Sequence, residues 1–290
     1  MKTSQDTQNL FQRKDGRQPG HLRTTNILFN AFGYAAGSVL FELGNTKVLC
    51  SVSLQNGVPH FLKGKKTGWL TAEYAMLPAS TMNRTIRETS SMKRNGRSVE
   101  ISRLIGRSLR TIVDLDLLGE RTIYIDCDVL QADGGTRTAC ITGACLALRS
   151  AINYWLENRV IKETILTGSL AAVSVGIVNG IPLLDLNYHE DNQADADFNF
   201  VITKLNKIVE IQGASEGATV SWEQFEKVKE LAILGIREFI QIGDQWFEPG
   251  SVKPEQSAYQ KSRNTISQNR NKKPAFFSLQ NRLSELKSDV

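Results

Sequence analysis

The sequence predicts an α+β protein built from two successive β-α units. A block of strand patterns followed by helical patterns occurs twice, with a divide near residues 158–168. The composition agrees, because 41% hydrophobic and 22% charged residues in a chain of 290 suffice for a sizeable core. It excludes a wholly disordered protein, a collagen-like fibre and a disulfide-stapled miniature.

The first unit consists of three strands, a helix, a fourth strand and a second helix. The patterns TTNILFN, GSVLFEL and TKVLCSVSL predict the strands, and Gly44-Asn45 is a hairpin turn signal between the last two. Apolar residues at three- and four-residue steps predict a helix from about Val99 to Leu118. TIYIDCDVL alternates with period two, and a second helix runs from Ala139 to about Glu157.

The second unit begins with the strands LAAVSVGIV and IPLLDLNY, joined at Asn179-Gly180. DFNFVIT and KIVEIQG predict another strand pair after an acidic loop. Ser221 opens the last helix, and Gln224 three residues later completes a capping box. We expect this helix to bury its apolar residues Trp222, Phe225, Val228, Leu231 and Phe239.

The composition divides the chain into four regions. We expect a polar extension over 1–22, an N-terminal domain over 23–157, a C-terminal domain over 158–250 and a disordered basic tail over 251–290. The tail carries eight basic and three acidic residues, which equals the net charge of +5 for the whole chain. Weak RNA contact and solubility remain open as its role. The apolar face of the tail residues 276–286 is either a frayed helix or a docking segment.

Targeting signals and paired cysteines are absent from the sequence. No stretch approaches the roughly 18 apolar residues that span a bilayer, and the first residues lack the apolar centre of a secretory signal. We expect a cytoplasmic protein that does not bind a membrane. The cysteines form no CxxC pair, so we expect inert buried thiols at Cys50, Cys127, Cys140 and Cys145.

The strongest chemical pattern is IDCDVLQADGGTRTACITGA, in which a strand leads through Gly134-Gly135-Thr136-Arg137 into a helix. Two glycines let backbone N–H groups approach an anion, and a helix N-terminus supplies unpaired donors. Thr136 adds a hydroxyl group and Arg137 a guanidinium suited to phosphate. The alternative is a tight turn capped by Thr136 with Arg137 in solvent. Walker, GxGxxG and HExxH motifs are absent.

A basic cluster precedes and enters the first helix. Glu88 and Glu100 alone oppose its members Arg84, Arg87, Lys93, Arg94, Arg97, Arg103, Arg107 and Arg110. The helix dipole gives no advantage to a cation at the position of Arg97, which therefore suggests an anionic ligand. An exposed helix face or a subunit contact is the alternative.

An acidic cluster joins the two strand pairs of the second unit, and it comprises Asp185, Glu190, Asp191, Asp195 and Asp197. Carboxylates so placed can hold Mg²⁺ against phosphates or protonate a leaving oxygen. A solvated acidic loop is the alternative. An anion site, an arginine cluster and an acidic group are together what phosphoryl transfer to or from RNA requires.

Six segments from Arg23 to Ile242 resemble the ribonuclease PH family of phosphorolytic exoribonucleases, relatives of polynucleotide phosphorylase and the exosome ring subunits. These segments are GSVLFELGNTKVLCSVSL, GWLTAEYAMLP, GRSVEISRLIGRSLR, DCDVLQADGGTRTACITGA, AAVSVGIVNG and EIQGASEG. The resemblance implies trimming of RNA 3′ ends, chiefly of precursor tRNA with ribosomal RNA as a further substrate. Inorganic phosphate is the co-substrate, nucleoside diphosphates are released, and the reverse reaction adds nucleotides.

The resemblance also implies a fold, an assembly and site residues. The fold would be two units of the ribosomal protein S5 domain 2-like type, and the assembly a homohexameric ring formed as a trimer of dimers. The implied phosphate-binding residues are Arg97, Gly135, Thr136 and Arg137. Asp191 and Asp197 would be catalytic and hold Mg²⁺, with Asp185 in support. We expect the RNA-binding residues to be Arg84, Arg87 and Arg94.

Two other functions stay open at this point. One is a metal-dependent hydrolytic exonuclease, which would release monophosphates. The other is a non-catalytic RNA-binding ring subunit. Asn199 stands where polynucleotide phosphorylases carry lysine, and this difference separates the chain from that branch.

Overall fold

The computed structural model describes residues 13–90, 95–216 and 219–247. The predictions for the tail over 251–290, for Lys93 and for Arg94 lie outside these residues. Within the described ranges, none of the helices combines the length and apolarity that crossing a membrane requires.

Two sheets and three long helices make up the described ranges. The strands are β1 (Thr25–Phe29), β2 (Gly37–Leu43), β3 (Thr46–Asn56), β4 (Trp69–Met76), β5 (Arg121–Gln131), β6 (Leu170–Val178), β7 (Ile181–Leu184), β8 (Ala196–Thr203) and β9 (Ile208–Ser215). The helices are α1 (Gly96–Arg110), α2 (Leu115–Leu118), α3 (Thr136–Glu157), α4 (Tyr188–Asp191) and α5 (Trp222–Phe247).

The first sheet has the order β1-β2-β3-β5-β4 and is antiparallel except for β4. Leu43 pairs with Thr46 across the predicted Gly44-Asn45 turn, which is therefore confirmed. The sequence patterns did not predict β4. That strand pairs in parallel with β5, so no hairpin turn marks it in the sequence.

The second sheet has the order β7-β6-β8-β9 and is antiparallel throughout. Val178 pairs with Ile181 across the predicted Asn179-Gly180 turn, which is confirmed. All nine residues of β6 are buried, because β7 and β8 pair with it and helices α3 and α5 pack against it.

Helix α3 joins the two sheets into one core. Its 22 residues include 15 that are buried, since it packs against β2, β3 and β6. A methyl group at Gly37 on β2 would lie 2.3 Å from the carbonyl oxygen of Ala147, so strand and helix are in close contact. One cluster of buried side chains extends across both sheets, α3 and α5. This packing fixes the N-terminal end of α3 between the two units.

The predicted helix from Val99 to Leu118 is wrong at its C-terminal end. Helix α1 ends at Arg110, and the chain turns before the short helix α2. Asp114 accepts hydrogen bonds from the N–H groups of Asp116 and Leu117, and these bonds begin a new helix. The apolar pattern continues through Ile112 and Val113 because both side chains reach the core from the turn itself.

Helix α5 begins with the predicted capping box. The Ser221 hydroxyl accepts from the N–H of Gln224, and the Gln224 side chain accepts from the N–H of Ser221. The predicted burial of Trp222 is wrong, since this side chain is 82% exposed. Trp222 is the first residue of the helix, and Phe225 one turn later packs on Phe198 instead.

The four cysteines are free and buried, as their apolar settings predicted. Cys50 and Cys127 lie opposite each other on β3 and β5, and Cys140 packs above them from α3. Burial raises the pKa of the Cys140 thiol well above its ordinary value, which keeps it protonated and unreactive at neutral pH.

Candidate active site

A cleft of about 1050 Å³ lies where the first sheet, the start of α3 and the second sheet meet. Its walls carry residues from both predicted units of the chain. Six of the residues that the sequence predicted for phosphate and acid chemistry line it together, namely Arg97, Gly135, Thr136, Arg137, Asp191 and Asp197. The structure therefore brings the anion-binding pattern and the acidic pattern into one site.

The glycine loop between β5 and α3 forms one wall of this cleft. Gly134 and Gly135 have φ angles of 78° and 66°, which residues other than glycine rarely adopt. A methyl group at Gly134 would lie 2.6 Å from the carbonyl oxygen of Leu186, so the loop touches the backbone of the acidic segment. The alternative of a Thr136 cap is wrong: the N-cap is Gly135, and the Thr136 hydroxyl lies 3.1 Å from that of Tyr74.

Residues from other parts of the chain form hydrogen bonds with the same loop. Arg23 donates from Nη1 to the carbonyl oxygen of Asp133 at 2.5 Å, and the Thr46 hydroxyl donates to that of Gly134 at 2.7 Å. The Asp133 carboxylate accepts from the N–H of Tyr188 at 3.2 Å, which ties the loop to α4. These contacts fix the loop so that the first N–H groups of α3 remain available to a ligand.

Asp185, predicted as a supporting residue, does not line the cleft. It is 2% exposed, and its carboxylate accepts three hydrogen bonds from Arg23, at 2.8 Å from the backbone N–H, 2.9 Å from Nε and 2.7 Å from Nη2. Because Arg23 also binds the Asp133 carbonyl oxygen, this ion pair connects Asp185 of the acidic cluster to the glycine loop. Asp185 is thus a positioning residue.

The N-terminal segment 13–22 contributes a second buried ion pair. It contains no helix or strand, as predicted for the polar extension, but it is anchored to α4. Arg13 donates from Nε and Nη2 to the two carboxylate oxygens of Glu190, each at 2.7 Å. The sequence patterns did not identify Arg13 or Arg23. The signal that could have identified them is the presence of several arginines in an N-terminal segment, because these arginines can neutralise the acidic residues near position 190.

Replacing Asp185 by asparagine is expected to lower the free energy of unfolding by about 3–5 kcal/mol, because the buried Arg23 guanidinium loses its counter-charge. Urea unfolding measures this change. The matched control is Asp15→Asn, which removes a surface partner of Arg17 and is expected to cost at most about 1 kcal/mol. Equal effects of the two substitutions would contradict the positioning role of Asp185.

Arg137 is oriented by residues of the second sheet and of α1. Its Nη1 donates to Oε1 of Gln212 on β9 at 2.7 Å, and its Nη2 lies 4.0 Å from the Glu100 carboxylate. The alternative that Arg137 points into solvent is therefore wrong. Gln212 also donates to Glu100 at 3.2 Å. Sequence reasoning missed Gln212, because no local pattern marks a contact between residues 75 positions apart.

The basic cluster separates into cleft and structural residues. Arg97 follows the N-cap Asn95, is exposed and lines the cleft. Arg107 forms a bidentate ion pair with Glu210, and Arg110 donates to the Leu70 carbonyl oxygen at 2.9 Å. Contacts within the protein therefore account for Arg107 and Arg110 without an anionic ligand.

The predicted RNA-binding arginines lie beside the cleft rather than in its wall. Arg84 and Arg87 are exposed, and neighbouring Asn83 and Thr85 line the cleft. Arg94, predicted with them, lies outside the described residues.

Asp191 and Asp197 form the acidic wall. Asp191 ends the unpredicted helix α4, whose capping box links Asn187 and Glu190, and Asp197 lies near the start of β8. Partial burial raises the pKa of Asp191, and the negative charge of Asp197 adds to that rise. Arg97 and Arg137 act in the opposite direction, so the four charged groups interact across the cleft.

The other acidic residues of the cluster have different roles. Glu190 is buried against Arg13, and the Asp195 carboxylate accepts from the N–H of Gly180 at 3.2 Å. Neither residue lines the cleft. The alternative of a solvated acidic loop therefore does not describe the cluster as a whole.

The acidic pair fits Mg²⁺ rather than a metal held by protein ligands alone. Within the described ranges, no group of three or more His, Cys, Asp and Glu side chains could hold a metal ion. Mg²⁺ commonly takes one or two carboxylates and completes its shell with substrate phosphates and water. Asp191 and Asp197, facing an anion site across the cleft, are such a pair.

The raised pKa of Asp191 predicts a pH-dependent cost to stability. The folded protein binds this proton more tightly than the unfolded chain, so stability falls as pH rises through the raised pKa. We expect metal-free Asp191→Asn to be more stable than the wild type at neutral pH, with the difference vanishing below pH 3.8. Urea unfolding with a chelator across that range measures it. A variant less stable than the wild type at neutral pH would contradict the shift.

Two family models match the chain. The 3′ exoribonuclease family, domain 1, covers residues 21–152, and the 3′ exoribonuclease family, domain 2, covers residues 168–234. The chain belongs to the 3′ exoribonuclease family. A relative named ribonuclease PH, from Neisseria meningitidis serogroup B, is 52% identical over 225 residues, which are 78% of this chain and 93% of that relative. The predicted family membership is confirmed.

Solved structures of other proteins share the fold. An Archaeoglobus fulgidus exosome with RNA bound to the active site has a TM-score of 0.67 at 22% identity, over 82% of this chain and 94% of that one. Rice (Oryza sativa) Rrp46 has a TM-score of 0.65 at 20% identity, over 81% of this chain and all of that one. These likenesses, with the two sheets and their helices, confirm the predicted α+β fold.

Proposed function

We propose that the chain is a phosphate-dependent 3′-to-5′ exoribonuclease that shortens RNA and releases nucleoside 5′-diphosphates. The observation that carries this proposal is that the glycine loop, Arg97 and Arg137 line the same cleft as the carboxylates of Asp191 and Asp197. The 52% identity to a ribonuclease PH supports it. Precursor tRNA is the chief substrate, ribosomal RNA is a further one, and the reverse reaction adds nucleotides from diphosphates.

The nucleophile in this proposal is inorganic phosphate. The N–H groups of Gly135 and Thr136 at the start of α3, with the Arg137 guanidinium, bind and orient it. One of its oxygens forms a bond to the phosphorus of the last phosphodiester as the bond from that phosphorus to the preceding 3′ oxygen breaks. The products are a nucleoside diphosphate and an RNA one nucleotide shorter.

Charge in the transition state is balanced from both walls of the cleft. Arg97 offsets negative charge on the transferring phosphoryl group. The departing 3′ oxygen takes its proton from one of the two aspartates, directly or through water. Asp191 and Asp197 would hold Mg²⁺, which supplies positive charge next to the substrate phosphates.

The proposal includes partners and an assembly. Arg84, Arg87 and Arg94 bind the RNA backbone outside the cleft. The chain forms a homohexameric ring, a trimer of dimers, and works in the cytoplasm without a membrane partner. The archaeal exosome core, which shares the fold at a TM-score of 0.66, supports the ring. We also propose 23–157 and 158–250 as the two domains.

Incubation of a 3′-extended tRNA with and without inorganic phosphate tests the function, with the released nucleotides identified chromatographically. We expect diphosphates with phosphate and no shortening without it. Monophosphates released in its absence would favour the hydrolytic exonuclease. No release under either condition would favour a non-catalytic RNA-binding ring subunit.

A further inference from the structure

A serine hydroxyl in the cleft has no role in the site as described above. Ser174 lies in the middle of β6, is 7% exposed and lines the cleft. Its Oγ atom is fully buried and has no hydrogen-bond partner among the described residues. Buried hydroxyl groups almost always have a partner, so this one calls for an explanation.

This hydroxyl group lies close to the glycine loop, where the proposed phosphate site is. A methyl group built on Gly135 would lie 3.6 Å from Ser174 Oγ, which places the hydroxyl beside the start of α3. The N–H groups at that helix start also lack partners within the helix. Two independent sets of unsatisfied donors therefore converge on one end of the cleft.

The second sheet continues this polar floor toward Arg137. Ser174 on β6 pairs in register with Asn199 on β8, and Asn199 pairs with Gln212 on β9. Residues in register across antiparallel strands project from the same face. All three line the cleft, and Gln212 holds Arg137. The row thus begins at Ser174 beside Gly135 and ends at Gln212, which binds Arg137.

Other buried serines show that the missing partner is informative only in this setting. Ser80 and Ser108 also have hydroxyl groups without partners among the described residues. Neither of them lines the cleft. Ser174 alone of these three combines an unsatisfied hydroxyl with the proposed anion site, and Ser108 on α1 offers a matched control.

We propose that the Ser174 hydroxyl donates a hydrogen bond to an oxygen of the inorganic phosphate that binds at the start of α3. This inference rests on the proposed phosphorolytic function, and it adds a binding residue from the second sheet. A phosphate oxygen is an acceptor only, so it suits a hydroxyl donor as well as the N–H groups of Gly135 and Thr136. Phosphate is then held from both units of the chain.

Substitution of Ser174 by alanine tests this contact through phosphate itself. We expect the dissociation constant of inorganic phosphate, measured by calorimetry without RNA, to rise about 10-fold, because one hydrogen bond to a charged group is lost. The KM for phosphate during RNA shortening is expected to rise similarly, with a smaller change in kcat. Ser108→Ala is expected to leave both quantities unchanged. Ser174→Cys, which keeps the shape and weakens the donor, is expected to lie between the wild type and Ser174→Ala.

The outcomes separate this inference from the proposed function. Unchanged phosphate affinity in Ser174→Ala, with a phosphate-dependent wild type, would overturn the contact and leave the function standing. An equal loss of affinity in Ser108→Ala would also overturn it, because the effect would not depend on the cleft. A wild type that shortens RNA without phosphate would instead contradict the proposed function.

Discussion

Replacing Arg137 by alanine is expected to raise the phosphate concentration for half-maximal RNA shortening by about 10- to 100-fold. Arg137 is the second residue of α3 and lines the cleft, and Gln212 binds its guanidinium. A charge-assisted hydrogen bond to an anion accounts for an effect of that size. Phosphate saturation curves at fixed RNA concentration measure it.

The fold is expected to survive this substitution, because Arg137 is not part of the buried core. Arg103→Ala is the matched control, since Arg103 is an exposed arginine of α1 outside the cleft. It is expected to leave phosphate saturation unchanged. A wild-type saturation curve from a folded Arg137→Ala protein would remove the glycine loop from the proposed mechanism.

Replacing Asp191 or Asp197 by asparagine is expected to lower kcat by about 10²- to 10⁴-fold. Asparagine keeps the shape of aspartate but can neither carry the transferred proton nor supply the negative charge that attracts Mg²⁺. Since other residues form the proposed phosphate site, the phosphate dissociation constant is expected to change much less than kcat. Single-turnover shortening of 3′-labelled RNA measures the chemical step.

Asp195→Asn is the control for the acidic pair. Asp195 lies between the two aspartates in sequence, but its carboxylate accepts from the Gly180 N–H and does not line the cleft. Activity close to that of the wild type is expected. If Asp195→Asn lowered kcat as much as Asp191→Asn, general loss of negative charge would explain both effects, and the proposed roles would be wrong.

Local patterns predicted most of the fold. The turn signals Gly44-Asn45 and Asn179-Gly180 predicted two hairpins, because the conformation of such turns is fixed by the residues themselves. Elements that depend on distant partners were missed or misplaced. Strand β4 pairs in parallel with β5, and α1 ends three residues before Val113, which bridges to Leu166.

The residues of the site show the same contrast between local patterns and contacts over long sequence separations. The glycine loop and the acidic cluster are local patterns, so the sequence indicated them, and the family resemblance singled out the acidic pair. The residues that hold them in place act over long sequence separations, as Arg23 does with Asp185 and Arg137 with Gln212. The role proposed for Ser174 could not be predicted from the sequence for a related reason. Within an apolar strand pattern a serine carries no signal until the loop that faces it is known.

The fate of labelled inorganic phosphate tests the central claim most directly. The protein is incubated with unlabelled 3′-extended tRNA and ³²P-labelled phosphate, and the products are separated. If phosphate is the nucleophile at the start of α3, the label appears as the terminal phosphate of nucleoside diphosphates, one for each nucleotide removed. Label that stays entirely in inorganic phosphate while the RNA is shortened would contradict the account, because water would then be the nucleophile.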